Sequence, residues 1–302
     1  MKNLILIAIT LIAFSSCDKV TEPYEKVTGG VDTALCPEPT FPPNTNTKRN
    51  VLIEDFTGHY CNNCPAAAYI IDTMKQNRGN QIVAIAVHTV DEYAAPISSS
   101  FPKYQTDFRT PESDKIKLDF AAGDGLPNLM VNRSDTVNGN GNFTFSTFYV
   151  VDAVHSFLNS SSNPIANLQI ITTFDPSNRT LCAYVETEAL VNLSEDYSLV
   201  IALTEDSIID WQLFNGNGNP TYGTVSKDIE KYKHSHVLRK NINGTYGKTI
   251  ITGSATAGDK IITGTTLKNV NTSWDEHHLY VVAYLFKNST KEIVQVVEKH
   301  VE

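Results

Sequence analysis

Between residues 51 and 75 the sequence changes character three times within one short stretch. Val51-Leu52-Ile53-Glu54-Asp55-Phe56 is a β-branched and aromatic run that reads as a buried strand, and Thr57-Gly58 is a turn signal. Cys61-Asn62-Asn63-Cys64 follows, and after it Pro65 opens a helix-forming stretch with apolar residues at Ala67, Ile70, Ile71 and Met74, ended by Arg78-Gly79-Asn80. Proline fits the first turn of a helix because the N–H it lacks would have no intrahelical partner there. A thiol at that end faces unpaired backbone N–H groups and the positive end of the helix dipole, which stabilise thiolate. Two intervening residues let the second thiol reach the first, so the pair can cycle between dithiol and disulfide.

Gln81 to Val90 is apolar on both faces, as expected of a parallel strand covered by helices, and completes a βαβ unit. Residues 91–124 are less regular, with Pro96, Pro102 and Pro111 and a short helix near Asp114 to Phe120. Leu129-Met130-Val131 resumes a strand, and Phe143 to Asn159 holds apolar residues at helical spacing, Phe145, Phe148, Val151, Val154 and Leu158. Asn159-Ser160-Ser161-Ser162-Asn163-Pro164 marks a boundary. Beyond it strand-like runs dominate: 168–174, 181–189, 198–207, 249–254, 261–267, 279–286 and 292–297. Short strands separated by turn residues predict an antiparallel, immunoglobulin-like sandwich. Asp210 to Asn243, with Gly/Asn-rich Phe214 to Pro220, reads as a long inserted loop, a kind that is often functional.

Lys2, an apolar run from Leu4 to Phe14, then Ser15-Ser16-Cys17 reads as a signal peptide, because the run is short of the roughly 20 residues that span a bilayer. The arrangement looks like a bacterial lipobox, with cleavage after residue 16 and acylation of Cys17, which anchors the chain to a membrane. Residues 17–50, with Pro23, Pro37, Pro39, Pro42 and Pro43, read as a tether. A net charge of -9 argues against nucleic acid as a partner. Of five cysteines, four remain after Cys17, and they allow three connectivities. Pairing Cys36 with Cys182 is the expectation that leaves Cys61 and Cys64 to each other and staples the tether to the β domain.

Residues 51–160 resemble the thioredoxin superfamily. The strand ending Asp55-Phe56 matches the family's strand with its buried carboxylate, and Gly125-Leu126-Pro127 before a strand resembles its cis-proline loop. The resemblance implies that Cys61 is the attacking nucleophile, Cys64 the resolving thiol, Asp55 the proton relay and Pro127 a substrate-loop residue. Glu54 is a second candidate for the carboxylate, since the strand register is open. Tyr60 and Asn62-Asn63 depart from the family's familiar members, so neither potential nor direction carries over. The whole layout is similar to the outer-membrane-protein-twenty-eight-related lipoprotein family. Lipobox, Pro-rich segment, Glu54-Asp55-Phe56-Thr57-Gly58 and Cys-x-x-Cys-Pro carry that similarity, as do Lys233 to Arg239 and Asn243-Gly244-Thr245-Tyr246-Gly247. It implies a place in the cell envelope, at the outer membrane, and little chemistry.

Other signals are weaker. His234 and His236 lie two apart, as metal ligands on one strand face do, but no third ligand follows and loop hydrogen bonding is the expected role; His88 and His277-His278 stand no better. His59 reads as an exposed turn histidine. Residues 138–142 and the stretch around Gly216 complete neither a phosphate nor a calcium loop, and Ser254 lacks the final glycine of a nucleophile elbow. Trp211, Phe214 and Tyr222 read as loop packing, with an exposed protein- or glycan-binding patch as the alternative. The expectation is therefore a signal peptide (1–16), a lipidated tether (17–50), an α/β thioredoxin-like domain (51–160) and an all-β sandwich (165–302). No cofactor or metal is implied. Two functions stay open: a thiol-disulfide oxidoreductase acting on envelope proteins, and a surface binding or adhesion lipoprotein whose Cys61–Cys64 disulfide is structural.

Overall fold

The computed structural model describes residues 30–46, 48–134, 143–147, 149–159 and 163–301. The signal peptide, Cys17 and the 138–142 loop lie outside these. The protein is mostly β, with mixed sheets and few helices. Its first elements are β1 (Val51–Thr57), α1 (Cys64–Arg78), β2 (Ile82–His88), α2 (Asp91–Ala94), α3 (Pro111–Phe120), β3 (Asn128–Val131), β4 (Thr144–Phe145) and α4 (Val150–Asn159). β1 and β2 are parallel, β3 runs antiparallel to β1, and β4 to β3. The helix expected from residue 143 begins only at Val150, because Thr144 and Phe145 pair with Met130 and Leu129.

Then follow β5 (Ala166–Asp175), β6 (Thr180–Ala189), β7 (Tyr197–Glu205), β8 (Ile208–Phe214), β9 (Lys227–His234), β10 (Val237–Asn241), β11 (Lys248–Ile251), β12 (Lys260–Leu267), β13 (Leu279–Lys287) and β14 (Ile293–His300). One sheet has the order β14-β13-β7-β10-β2-β1-β3-β4, with β11 on β7, and so runs unbroken from the late strands into the early ones. The join is the bridge from Val237 in β10 to Ala86 in β2. A second sheet, β12-β6-β5, packs on the late half of the first around Leu168, Val185, Ile201 and Val281. Among the described residues no helix is long and apolar enough to cross a membrane.

The stretch read as one long loop, 210–243, holds β8, β9 and β10. β8 and β9 form a two-stranded hairpin of their own, with a small core of Phe214, Ile229 and Tyr232. In β9 only Ile229, Tyr232 and His234 turn inward while lysines, Asp228 and Glu230 face water, so its apolar content is too low to stand out as a strand.

β1 is buried from end to end between β2 and β3, and its alternation sorts the two acidic candidates. Val51 and Ile53 pack with α1 and α4, while Leu52 and Phe56 pack on the opposite face with residues of β7, β13 and β14. Glu54 shares that second face and holds Arg133 through two hydrogen bonds, at 2.8 and 2.6 Å, and Arg133 also donates to the Tyr284 hydroxyl at 3.0 Å. Both charges are buried and the pairing is bidentate, the geometry that offsets their desolvation. Residues 31–46 and 48–50 lie along the late sheets: Cys36 is bonded to Cys182 of β6, and the Asn50 side chain donates to the Val296 carbonyl at 2.8 Å.

Candidate functional site

Cys61 and Cys64 are joined as a disulfide at the N-terminus of α1. The loop that carries them leaves β1 through Gly58, where a Cβ would stand 2.5 Å from the Tyr93 carbonyl oxygen, so only glycine fits. The Tyr60 N–H donates to that same carbonyl at 2.9 Å, and the Cys61 N–H to the Gly58 carbonyl at 3.0 Å. Residues 93–108 thus brace one side of the loop, with His59 edge-on to Tyr104 and Phe108. His59 is fully buried and its Nε2 donates to the Ala95 carbonyl at 3.0 Å, which corrects its reading as an exposed turn residue. The physical reason is that residues 93–108 fold back over it.

The β8–β9 hairpin covers the other side. The Leu213 N–H donates to the His59 carbonyl at 2.8 Å, the Asn215 N–H to the Asn62 carbonyl at 3.0 Å, and the Gln212 amide to the Cys61 carbonyl at 2.9 Å. Past the strand, the Asn219 amide donates to the Pro65 carbonyl at 3.0 Å, and the Asn215 amide bonds the Asn63 side chain. At the hairpin's outer edge Asp228 takes the Tyr104 hydroxyl and the Lys103 ammonium, each at 2.5 Å. Under this cover Cys61 is 3% exposed and Cys64 2%. Of the aromatics in this stretch, Phe214 is buried in the hairpin core with Tyr222 against it, and Trp211 is half-buried near Tyr104.

Behind the disulfide lies a cavity of about 40 Å³ lined by Cys64, Asp55, Asp72, Tyr232, His234 and His236, among others. Asp55 is buried, and its Oδ1 has no hydrogen-bond partner among the described residues. Burial, then the Asp72 charge, push its carboxyl up to about 7, against a smaller pull from His236. Also lining the cavity, His236 lies 3.0 Å from Asp206 and 3.8 Å from Asp72; these contacts raise its pKa although its burial opposes them. His234 is buried against Phe108 and Tyr232, donates to the Trp211 carbonyl at 3.3 Å, and is pushed down to about 4 by burial. Burial likewise holds His88 well below the usual range.

The structure therefore brings Cys61, Cys64 and Asp55 together, while Glu54 faces away. Pro127, in a cis peptide with Leu126, sits at the same end of the sheet, since Asn128 pairs with Phe56 and so places it level with Thr57. The Cys36–Cys182 bond belongs to another part of the molecule, beside Tyr184 and Phe41. What sequence reasoning missed is the cover: Gln212, Asn215 and Asn219. The Gly/Asn-rich run from Phe214 to Pro220 was its one signal.

The family model described as "Outer membrane protein Omp28" matches residues 120–302. No curated protein matches the sequence. Among solved structures, HBP35 of Porphyromonas gingivalis aligns at a TM-score of 0.57 and 14% identity, covering 85% of this chain and 77% of that one, a likeness of fold. Protein AGR_C_4864 from Agrobacterium tumefaciens aligns at 0.48 and 13% identity, covering 84% of this chain and 95% of that one. A domain of the outer membrane lipoprotein Omp28 from Porphyromonas gingivalis aligns at 0.31 and 15% identity, covering 46% of this chain and 89% of that one. Because the family model takes in well over half of the sequence, this chain belongs to the outer membrane protein Omp28 family, a family of the outer membrane of the cell envelope.

Proposed function

We propose that this outer membrane protein is a lipoprotein, anchored through Cys17 after removal of residues 1–16, with a thiol-disulfide exchange centre at Cys61 and Cys64. The strand order β2-β1-β3-β4, with α1 between the two parallel strands, supports a thioredoxin-like reading of residues 51–160, followed by a sandwich over 165–302. One observation carries the exchange reading: Asp55 is a buried carboxyl with an oxygen unpartnered among the described residues, lining the same cavity as Cys64. A disulfide that only staples two segments has no use for such a group, whereas one that must take up and release protons does.

In this reading the thiolate of a partner protein's dithiol attacks Sγ of Cys61. The Cys61–Cys64 bond breaks, a mixed disulfide forms, and Cys64 leaves as a thiolate that takes the Asp55 proton. The partner's second thiol then attacks the partner's own sulfur in the mixed disulfide and releases Cys61. Two electrons have moved: the partner holds a disulfide, and its two protons end on Cys61 and, by way of Asp55, on Cys64. Reaction with a disulfide-bearing protein runs the same steps backward and restores the bond. Pro127, level with Thr57, is the substrate-loop residue of this scheme.

A second reading, a surface binding or adhesion lipoprotein with a structural disulfide, is favoured by the near-complete burial of both sulfurs. Cys64→Ala in intact cells separates the two. Exchange predicts mixed disulfides between Cys61 and envelope proteins, absent from the Cys61→Ala, Cys64→Ala double variant. A Cys61 that alkylates in the folded Cys64→Ala protein yet joins no partner makes the disulfide structural.

A further inference from the structure

The β8–β9 hairpin is attached to the disulfide loop in an unusual way for a piece of a folded core. Among the described residues its strands join no other sheet, and its apolar residues form a satellite cluster apart from the three large cores. It is held over the site by main-chain bonds from Leu213 and Asn215, side-chain bonds from Gln212 and Asn219, the Asp228 contacts with Lys103 and Tyr104, and ring contacts of Trp211 with Tyr104 and of His234 with Phe108 and His88. A two-stranded hairpin is marginal by itself, and units held by few apolar contacts open at a lower free energy than the whole protein.

The bonds themselves resemble those of a docked peptide. Two N–H groups spaced two residues apart on an extended segment, those of Leu213 and Asn215, reach the carbonyls of His59 and Asn62 on either side of Cys61. The chain then passes so close to α1 that a Cβ on Gly218 would stand 2.5 Å from the Ala66 Cβ, at a φ of +74°. A smooth, small residue is therefore required where the segment crosses the helix.

We propose that the carbonyls of His59, Cys61, Asn62 and Pro65 form a docking site for an extended polypeptide segment, and that the β8–β9 hairpin is its internal occupant. The hairpin leaves as a unit, and an extended segment of a thiol-bearing partner polypeptide takes its place over Cys61. This rests on the exchange reading for what happens next, but the cover and the chemistry are tested apart.

The test uses the full-length protein and dithiothreitol as the probe. Gly218→Val wedges the hairpin against Ala66, and Asp228→Asn loosens its outer edge at an exposed position. Amide exchange over 208–234 is measured with the rate of Cys61–Cys64 reduction, and the Cys36–Cys182 bond serves as an internal control. Loss of one such contact predicts faster exchange in the hairpin and roughly five- to tenfold faster reduction of Cys61–Cys64, with Cys36–Cys182 unchanged. Faster hairpin exchange without faster reduction overturns the proposal. So does a hairpin whose amides in both variants exchange only with global unfolding. A bond that reduces quickly in these variants yet traps no protein through Cys61 defeats the exchange reading and leaves the cover intact.

Discussion

The side-chain amide of Gln212 donates to the carbonyl of Cys61 at 2.9 Å, across 151 residues of sequence. The same amide lies 3.4 Å from the Gly58 carbonyl and 2.9 Å from the Leu213 carbonyl, so one side chain ties the hairpin to both ends of the turn that presents the cysteine. Gln212→Leu keeps the bulk and removes the donor. Leaving those buried carbonyls without it is expected to cost about 1–3 kcal/mol, felt in the hairpin more than in the whole fold. Hydrogen exchange should show the Leu213 and Asn215 amides opening at least tenfold faster while the global unfolding midpoint moves little.

Asp55 sets a pH dependence of its own. Its folded value of about 7 stands above the ordinary aspartate value of about 3.8, so between these pH values the folded state keeps a proton that the unfolded chain has lost. Its contribution to stability is thus full below about 3.8 and is lost as pH rises through about 7, a difference of roughly 4 kcal/mol at 1.36 kcal/mol per pK unit. Asp55→Asn should therefore be more stable than the parent at pH 8, the gap closing by pH 4, as read by urea denaturation across that range.

His234 and His88 act in the opposite sense. Both are pushed down by burial, His234 to about 4, so as pH falls below about 6.5 the unfolded chain takes up protons that the folded protein refuses. Each group destabilises the fold as pH falls, at up to about 1.4 kcal/mol per pH unit. Asp55 masks one of the two in the parent. In Asp55→Asn the acid slope should be steeper than the parental one by about 1.4 kcal/mol per pH unit between about pH 4 and 7, and equal slopes would show that Asp55 is not buried as described.

The Cys36–Cys182 bond closes a loop of 146 residues. Removing it by Cys36→Ser with Cys182→Ser is expected to cost about 2–5 kcal/mol, because the unfolded chain regains the freedom the bond withholds. The lost stability should appear as a lower denaturation midpoint, with Cys61–Cys64 still bonded by peptide mapping.

Much of this site was legible in the sequence because it is local. Strand β1, the turn, the two cysteines and α1 lie within 28 residues, and each carries its own signal of pattern, glycine or proline. Which of Glu54 and Asp55 faces the disulfide was not legible, since adjacent strand residues point oppositely and only Arg133, 79 residues from Glu54, fixes the register. The cover was hidden for a similar reason. Its contacts to the disulfide loop span about 150 residues and use amides and main chain, which leave no hydrophobic period behind. His59 was misread for the same cause, as nothing near it in sequence announces that Tyr104 and Phe108 close over it.

Cys17→Ala should move the protein from the membrane fraction to the soluble one, since one acylated residue is the proposed attachment. Retention of the unlipidated variant in a detergent-sensitive membrane fraction would contradict it.

The exchange reading is tested most directly by the reduction potential of the Cys61–Cys64 couple. The full-length protein is equilibrated in thiol-disulfide buffers and the cysteines are read by alkylation and mass. A working exchange centre predicts a potential above about -300 mV, below which structural disulfides in secreted proteins lie. A couple that stays oxidised in buffers poised well below that value would make the bond a staple and contradict the account.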